Sequence, residues 1–370
     1  MLPPAFRPPL TRRPDDRTTA RPRDRATADW LAWLDAHRLA PAAARVLADA
    51  PLPDDARAHL DAAYDAARAG WLMRKIALQR FLTLVNQEPA QPIILLKGAA
   101  LALTLYDDPA VRPMNDIDLL IAPDHLLPVV ERMRGAGYEE RSLSEGDEVG
   151  YLHHFIFTDA MTGVRFELHH TLPLLPSDAD ALGWFLTQTQ PHEFAGKPFL
   201  TLSPEAQLLH LASHAVLEHG GLEGALGVWF YDIDQLIRKW GDEMDWDETL
   251  ARARALAWEA ALHEAILLAQ HYFTTPAPPA IRDWLQLPVE SLRGYNTMRQ
   301  MTSPARSTSL TALHILRGLP WRQRIRQSAH MLFPSRAYMR SRYPSIPWPA
   351  AYPYRWLDAV RKLLPALLGK

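Results

Sequence analysis

Apolar and polar residues follow two different rhythms along this chain, and the change of rhythm divides it. Across residues 54–85 apolar side chains recur every third or fourth position (Trp71, Leu72, Ile76, Leu78, Phe81, Leu82, Leu84), which predicts one long amphipathic helix. A short apolar run at residues 93–96 ends in Lys97-Gly98, and a helical segment follows over 99–106. A turn-rich loop, 107–113, leads into residues 115–121, where the rhythm becomes strict alternation. Strand side chains point to opposite faces in turn, so Asp116 and Asp118 share one face while Ile117 and Leu119 share the other. Residues 164–170 alternate in the same way, with Val164, Phe166 and Leu168 on the core side and Arg165, Glu167 and His169 opposite. Residues 138–143 and 151–158 read as two further strands around a polar loop, and Pro123 opens a helix to about Arg134.

From Ser203 the pattern is helical. Ser203 caps a helix through about Leu217 that carries His210 and His214 one turn apart. Helices are predicted over 222–239, 246–256 and 258–273, with shorter pieces at 309–317, 321–333 and 354–367. At the other end, residues 1–26 hold six prolines and seven arginines without apolar periodicity and read as disordered, before Thr27 caps a short helix through Leu39. The fold class is α+β: a small mixed β-sheet core with flanking helices and a mainly helical C-terminal part. The expected divisions are a Pro/Arg-rich tail (1–26), an N-terminal helical segment (27–90), a catalytic domain (91–200), a helical domain (201–275) and a basic Pro/Arg/aromatic-rich segment (276–370).

Composition sharpens this picture. A chain of 370 residues with 48% hydrophobic content can bury a sizeable core, enough for two domains. Its lack of cysteine excludes disulfides, thiolate zinc sites and cysteine nucleophiles. The net charge of -2 provides no overall field toward nucleic acid or membrane. No apolar run approaches the roughly 20 residues that span a bilayer, and no apolar signal core opens the chain, so a cytoplasmic location is expected. The charge is unevenly spread: residues 291–370 carry 14 Lys and Arg against one acidic residue, Asp358, leaving 26 basic and 41 acidic residues in the first 290. The basic segment is expected to contact an anionic partner or to dock on the acidic body of its own chain.

The paired aspartates repel one another unless a cation sits between them, and such oxygen ligands suit Mg²⁺, which takes one or two carboxylates and substrate phosphates. Gly98, at a helix start, lets free N–H groups approach phosphate oxygens. Together, Leu96-Lys97-Gly98, Tyr106, Arg112, Asp116-Ile117-Asp118-Leu119-Leu120 and Glu167-Leu168-His169, followed by 208–214 and 229–233, resemble the uncharacterised bacterial nucleotidyltransferase family of the DNA polymerase β-like nucleotidyltransferase superfamily. The resemblance implies Asp116, Asp118 and Glu167 as catalytic carboxylates on two Mg²⁺ ions, with Lys97, Gly98, Ala99 and Arg112 contacting an NTP donor. It implies transfer of a nucleoside monophosphate to an acceptor hydroxyl on a small molecule, peptide, protein or RNA end, releasing pyrophosphate. The chain departs from the superfamily pattern in having Ala99 where Ser or a second Gly stands, and in its 18-residue step from Gly98 to Asp116.

Two rival readings differ from this one. In one, the chain is a catalytically inactive nucleotide- or partner-binding descendant of the same fold. In the other it is a metallophosphohydrolase built on His210, His214, Asp232 and the histidines His153, His154, His169 and His170. Otherwise, these histidines are structural, with His210 and His214 packed between helices and bonded to Asp232 or to facing carbonyls.

Overall fold

A computed structural model describes residues 22–140 and 154–303, apart from 173 and 176–178, together with isolated positions and residues 350–357 beyond 303. In chain order its elements are α1 (Pro22–Ala36), α2 (Ala40–Val46), α3 (Asp54–Val85), β1 (Ile94–Leu95), α4 (Lys97–Thr104), β2 (Asp116–Leu120) and α5 (Pro123–Gly135). There follow β3 (Tyr138–Glu140), β4 (His154–Asp159), β5 (Arg165–His169), α6 (Ala179–Thr187), β6 (Thr189–Phe194) and β7 (Lys197–Leu202). The chain continues with α7 (Pro204–Ala212), α8 (Gly227–Trp240), α9 (Trp246–Ala255), α10 (Glu259–Phe273) and α11 (Tyr295–Met301).

The seven strands form one mixed sheet in the order β3-β4-β5-β2-β1-β7-β6. β2 runs antiparallel to β1 and parallel to β5, with Asp116 opposite Arg165 and Asp118 opposite Glu167. The alternation read in β2 therefore has its physical outcome: Ile117 and Leu119 enter a core with Leu78, Phe81 and Leu82 of α3 and Val129 and Val130 of α5. Leu120, two positions from Asp118, joins a second core that holds Phe230, Ile233, Leu262 and Phe273 of the helical part. The sheet thus lies between two layers, and its aspartate-bearing face looks toward the helices that follow β7.

Several expectations are corrected. α1 starts at Pro22, ahead of Thr27, because proline suits the first helical turn. Its Trp30 and Leu34 enter the same core as α8 and α10. The stripe on α3 is only half used: Leu78, Phe81 and Leu82 are buried, but Leu72 and Ile76 are exposed. The sequence reading omitted α2, α6 and the β6–β7 hairpin. In that hairpin Ala195 and Gly196 both take left-handed φ, +51° and +73°, the backbone of a two-residue turn that matches strand twist. Proline obscured the pattern there, and Pro191 is tolerated because β6 is an edge strand. The helix from Pro204 does not run uniformly to Leu217. Ser203 caps it by accepting from the Ala206 N–H, but the α-helix ends at Ala212 and a π-helix covers Ser213–Glu218. Residues 1–21, the loop 141–153 with His153, the piece at 309–317, most of 321–333 and 354–367, and hence the docking of the basic segment, lie outside the described residues.

Candidate active site

Asp118 is the centre of a polar cluster on the open face of the sheet. It is 6% exposed, deeper than an aspartate standing in the open. Lys97 Nζ lies 3.1 Å from its Oδ1, and His169 Nε2 lies 3.0 Å from the same oxygen. No donor among the described residues engages Oδ2. Glu167, opposite Asp118 across β5, places Oε2 3.8 Å from His169 Nε2. Asp118, Glu167 and His169 each offer a ligand atom, and these atoms lie within 4.8 Å of one another. Two carboxylates and one imidazole make a donor set that fits a divalent cation.

The electrostatics separate the two acids. Burial pushes Asp118 upward, but the Lys97 ammonium and the His169 hydrogen bond hold it well below the ordinary carboxylate range. Glu167 is raised, by burial first and then by the charges of Asp118 and Asp116. Burial works against the Lys97 charge, yet Asp118, and then Glu218, hold its pKa above the ordinary lysine value. Lys97 also sits in the left-handed region at φ +46°. That costs on the order of 1–3 kcal/mol at a non-glycine residue, and its side chain ends on Asp118.

Asp116 falls outside that ligand set. Arg165 takes it in an ion pair and reaches Glu167 Oε1 at 3.1 Å with the same Nη2. The charge of Asp116 also bears on Arg38, between α1 and α2, and on Arg74 of α3. Among the described residues no carboxylate lies within ion-pair distance of Arg38 or Arg74, and burial lowers the pKa of both. The rim beside Asp116 therefore carries more cationic than anionic charge.

The expected phosphate contacts are arranged differently. Gly98 and Ala99 are buried, and a Cβ on Gly98 would stand 3.1 Å from Met114 Cβ and 3.6 Å from Arg112 Nη1. Only Lys97 offers surface at this helix start. Arg112 is engaged by a carboxylate of α8. It is 4% exposed and holds Asp232, itself 0% exposed, through Nε at 2.8 and 2.9 Å and Nη2 at 2.7 Å. The Tyr106 hydroxyl donates to Asp232 Oδ1 at 2.8 Å. Arg112 is thus a clamp between the loop before β2 and α8, because its fork saturates a buried carboxylate that would otherwise be stranded.

The histidines expected to meet Asp232 do not. His214 Nδ1 lies 2.8 Å from Glu218 Oε2, and both ring nitrogens of His210, 1% exposed, are without a hydrogen-bond partner among the described residues. Burial holds His210 well below its ordinary pKa, and burial followed by the Lys97 charge lowers His214 to about 4. Sequence reasoning weighed His169 only as a ligand in a rival reading and missed Arg165, although strict alternation had already put both on the face of Glu167. Arg38 and Arg74 had no such signal, since they reach the rim from distant helices.

Residues 24–274 match a family model described as uncharacterised nucleotidyltransferase. Among solved structures, the chain resembles the crystal structure of an antigenic nucleotidyltransferase-like protein from Paracoccidioides brasiliensis, at 17% identity over 49% of this chain and 91% of that one, with a TM-score of 0.28. No curated protein matches the chain. Among the described residues no helix is long and apolar enough to cross a membrane.

Proposed function

The chain belongs to the uncharacterised nucleotidyltransferase family, and from that premise we propose that it transfers a nucleoside monophosphate from an NTP to an acceptor hydroxyl, releasing pyrophosphate. The observation that carries this reading is the register of β2 on β5, which sets Asp118 beside Glu167 with His169 closing the group, inside the family-matched span. Asp118 and Glu167 would hold Mg²⁺ or a similar divalent ion, and Asp116 would supply a further carboxylate for a second ion once released from Arg165. When bound, such ions neutralise triphosphate charge and make an acceptor hydroxyl easier to deprotonate. His169 keeps Asp118 oriented by donating from Nε2 to Oδ1. Lys97 supplies a cation that balances Asp118 until the site is loaded.

The triphosphate would be received by Arg38, Arg74 and Arg165, the cationic excess at the rim, in place of Arg112. Guanidinium forks match phosphate oxygens bidentately, so two half-buried arginines without carboxylate partners favour an anion there. The acceptor follows from the cleft and not from the fold; a small-molecule hydroxyl, a peptide or protein side chain, or an RNA end would all satisfy the chemistry. The test combines isothermal titration of each NTP, with and without Mg²⁺, and pyrophosphate release. Mg²⁺-dependent binding and release that disappear in Asp118→Asn are expected. Unchanged release in both Asp118→Asn and Glu167→Gln would overturn the reading.

A further inference from the structure

A second group of metal-ligating side chains, which shares no residue with the carboxylate group, lies on the turn that ends the α7 helix. His214, Glu218 and His219 each present a ligand atom, and these atoms lie within 4.8 Å of one another. Their grouping comes from the backbone. In an α-helix residues four apart share a face but residues five apart do not. The segment Ser213–Glu218 is instead a π-helix, and the His219 N–H donates to the His214 carbonyl at 3.1 Å. The wider turn brings the fourth and fifth positions after His214 around to its own side. Such single-turn π segments are rare and recur at functional sites.

A second observation points to the same place. One helical turn earlier, His210 is buried with neither ring nitrogen hydrogen-bonded among the described residues, its centroid 6.4 Å from that of His214. A buried imidazole left without partners loses its hydrogen bonds to water and gains none in return. The charges of Lys97, His214, His169 and Glu218 all bear on it. Trp229 closes the far side, 4.7 Å from the His214 ring and 4.4 Å from the His219 ring between centroids.

We propose that His214, Glu218 and His219 form a site for one ion of the zinc or cobalt class, with His210 in reserve behind it. Two imidazoles and one carboxylate are a borderline, nitrogen-rich donor set, unlike the oxygen-rich pair at Asp118 and Glu167. Three protein ligands leave a further coordination position for water or an acceptor oxygen. The competing account is plain packing: a His–Glu hydrogen bond along a helix, with rings stacked on Trp229. The two accounts differ in what they say about metal, and the inference stands apart from nucleotidyl transfer.

The probe is Co²⁺, titrated into the full chain with Mg²⁺ in excess to fill the carboxylate site. The expected result is one equivalent of Co²⁺ with the visible absorption of a low-coordinate nitrogen-ligated ion. Binding weakens by roughly tenfold or more in His219→Gln, whose ring is the least buried of the three, and disappears in the His214→Gln/His219→Gln double variant. Asp118→Asn binds Co²⁺ as the parent does. As a second readout, bound Co²⁺ quenches tryptophan emission, and Trp229→Phe removes that quenching. The site is overturned if no stoichiometric Co²⁺ binds, if His219→Gln binds as the parent does, or if Asp118→Asn alone abolishes the spectrum. The last outcome would put the ion among the carboxylates.

Discussion

Two buried aspartates, Asp118 and Asp232, solve the same electrostatic problem in opposite ways. Asp232 is saturated: Arg112 engages both carboxylate oxygens and the Tyr106 hydroxyl fills a further acceptor position. Asp118 has a lysine and a histidine on one oxygen, and no donor among the described residues on the other. Neither partner of Asp118 is a fork. Lysine is a flexible point charge, and either can yield to another cation at modest geometric cost. Burial and charge pairing are thus common to both aspartates, and spare ligand capacity is what separates them. The same contrast holds among the arginines, where Arg112 is fully committed while Arg38 and Arg74 have no ion-pair partner among the described residues.

The strongest way to break this comparison is to exchange the consequences. Asp118→Asn should lower transfer on the order of 10³-fold with the fold intact, as read by pyrophosphate release and circular dichroism. If Asp232→Asn abolishes transfer in a fully folded protein while Asp118→Asn spares it, the assignment of roles is reversed. Next in size, Arg112→Ala leaves Asp232 buried and uncompensated and should cost about 3–5 kcal/mol in urea unfolding. An Arg112→Met/Asp232→Leu double variant should recover much of that loss. Recovery would sharpen the view of the pair as structural.

A third contrast lies within the site itself, in the pH dependence of stability. The Asp118 pKa is depressed on folding, so its contribution is present above the ordinary value of 3.8 and fades as pH falls through the folded value. The Glu167 pKa is raised, so its contribution is present below the ordinary value of 4.5 and is lost as pH rises through the folded value. At neutral pH Asp118→Asn should therefore destabilise the metal-free protein and Glu167→Gln should stabilise it, and both differences should shrink in acid. Urea unfolding at neutral and acid pH decides this; effects of one sign in both variants would refute it.

The smallest effect concerns the helix start. Gly98→Ala gains helix propensity of up to about 1 kcal/mol but crowds Met114 Cβ. A net stability change within about 1 kcal/mol is expected, with a weakened NTP affinity that Met114→Ala partly restores. Arg38→Ala, by contrast, should raise the KM for NTP roughly tenfold while leaving unfolding unchanged.

How much of this was legible in the sequence depends on how local each cause is. The β2 and β5 strands follow from alternation alone, and α3 runs from Asp54 to Val85 as its periodicity predicts. The pairing of Asp118 with Glu167 needed only that the two polar faces lie side by side. The commitment of Arg112 to Asp232 was not legible, because the partners are 120 positions apart and nothing local to Arg112 separates a phosphate ligand from a clamp. The π-turn at Ser213–Glu218 was hidden for a different reason: its apolar residues Ala215, Val216 and Leu217 continue a helical pattern into the core, and that pattern does not separate a π turn from an α turn.

The Arg112–Asp232 clamp has a mechanical consequence. Lys239 of α8 also donates to the Thr104 carbonyl at 2.9 Å, and the Gly227 N–H donates to His37 Nδ1 at 2.9 Å. Three contacts thus tie α8 to the loop before β2, to the end of α4 and to the turn between α1 and α2. Such a seam, tied at three points along one helix, is expected to be among the last to open in hydrogen exchange.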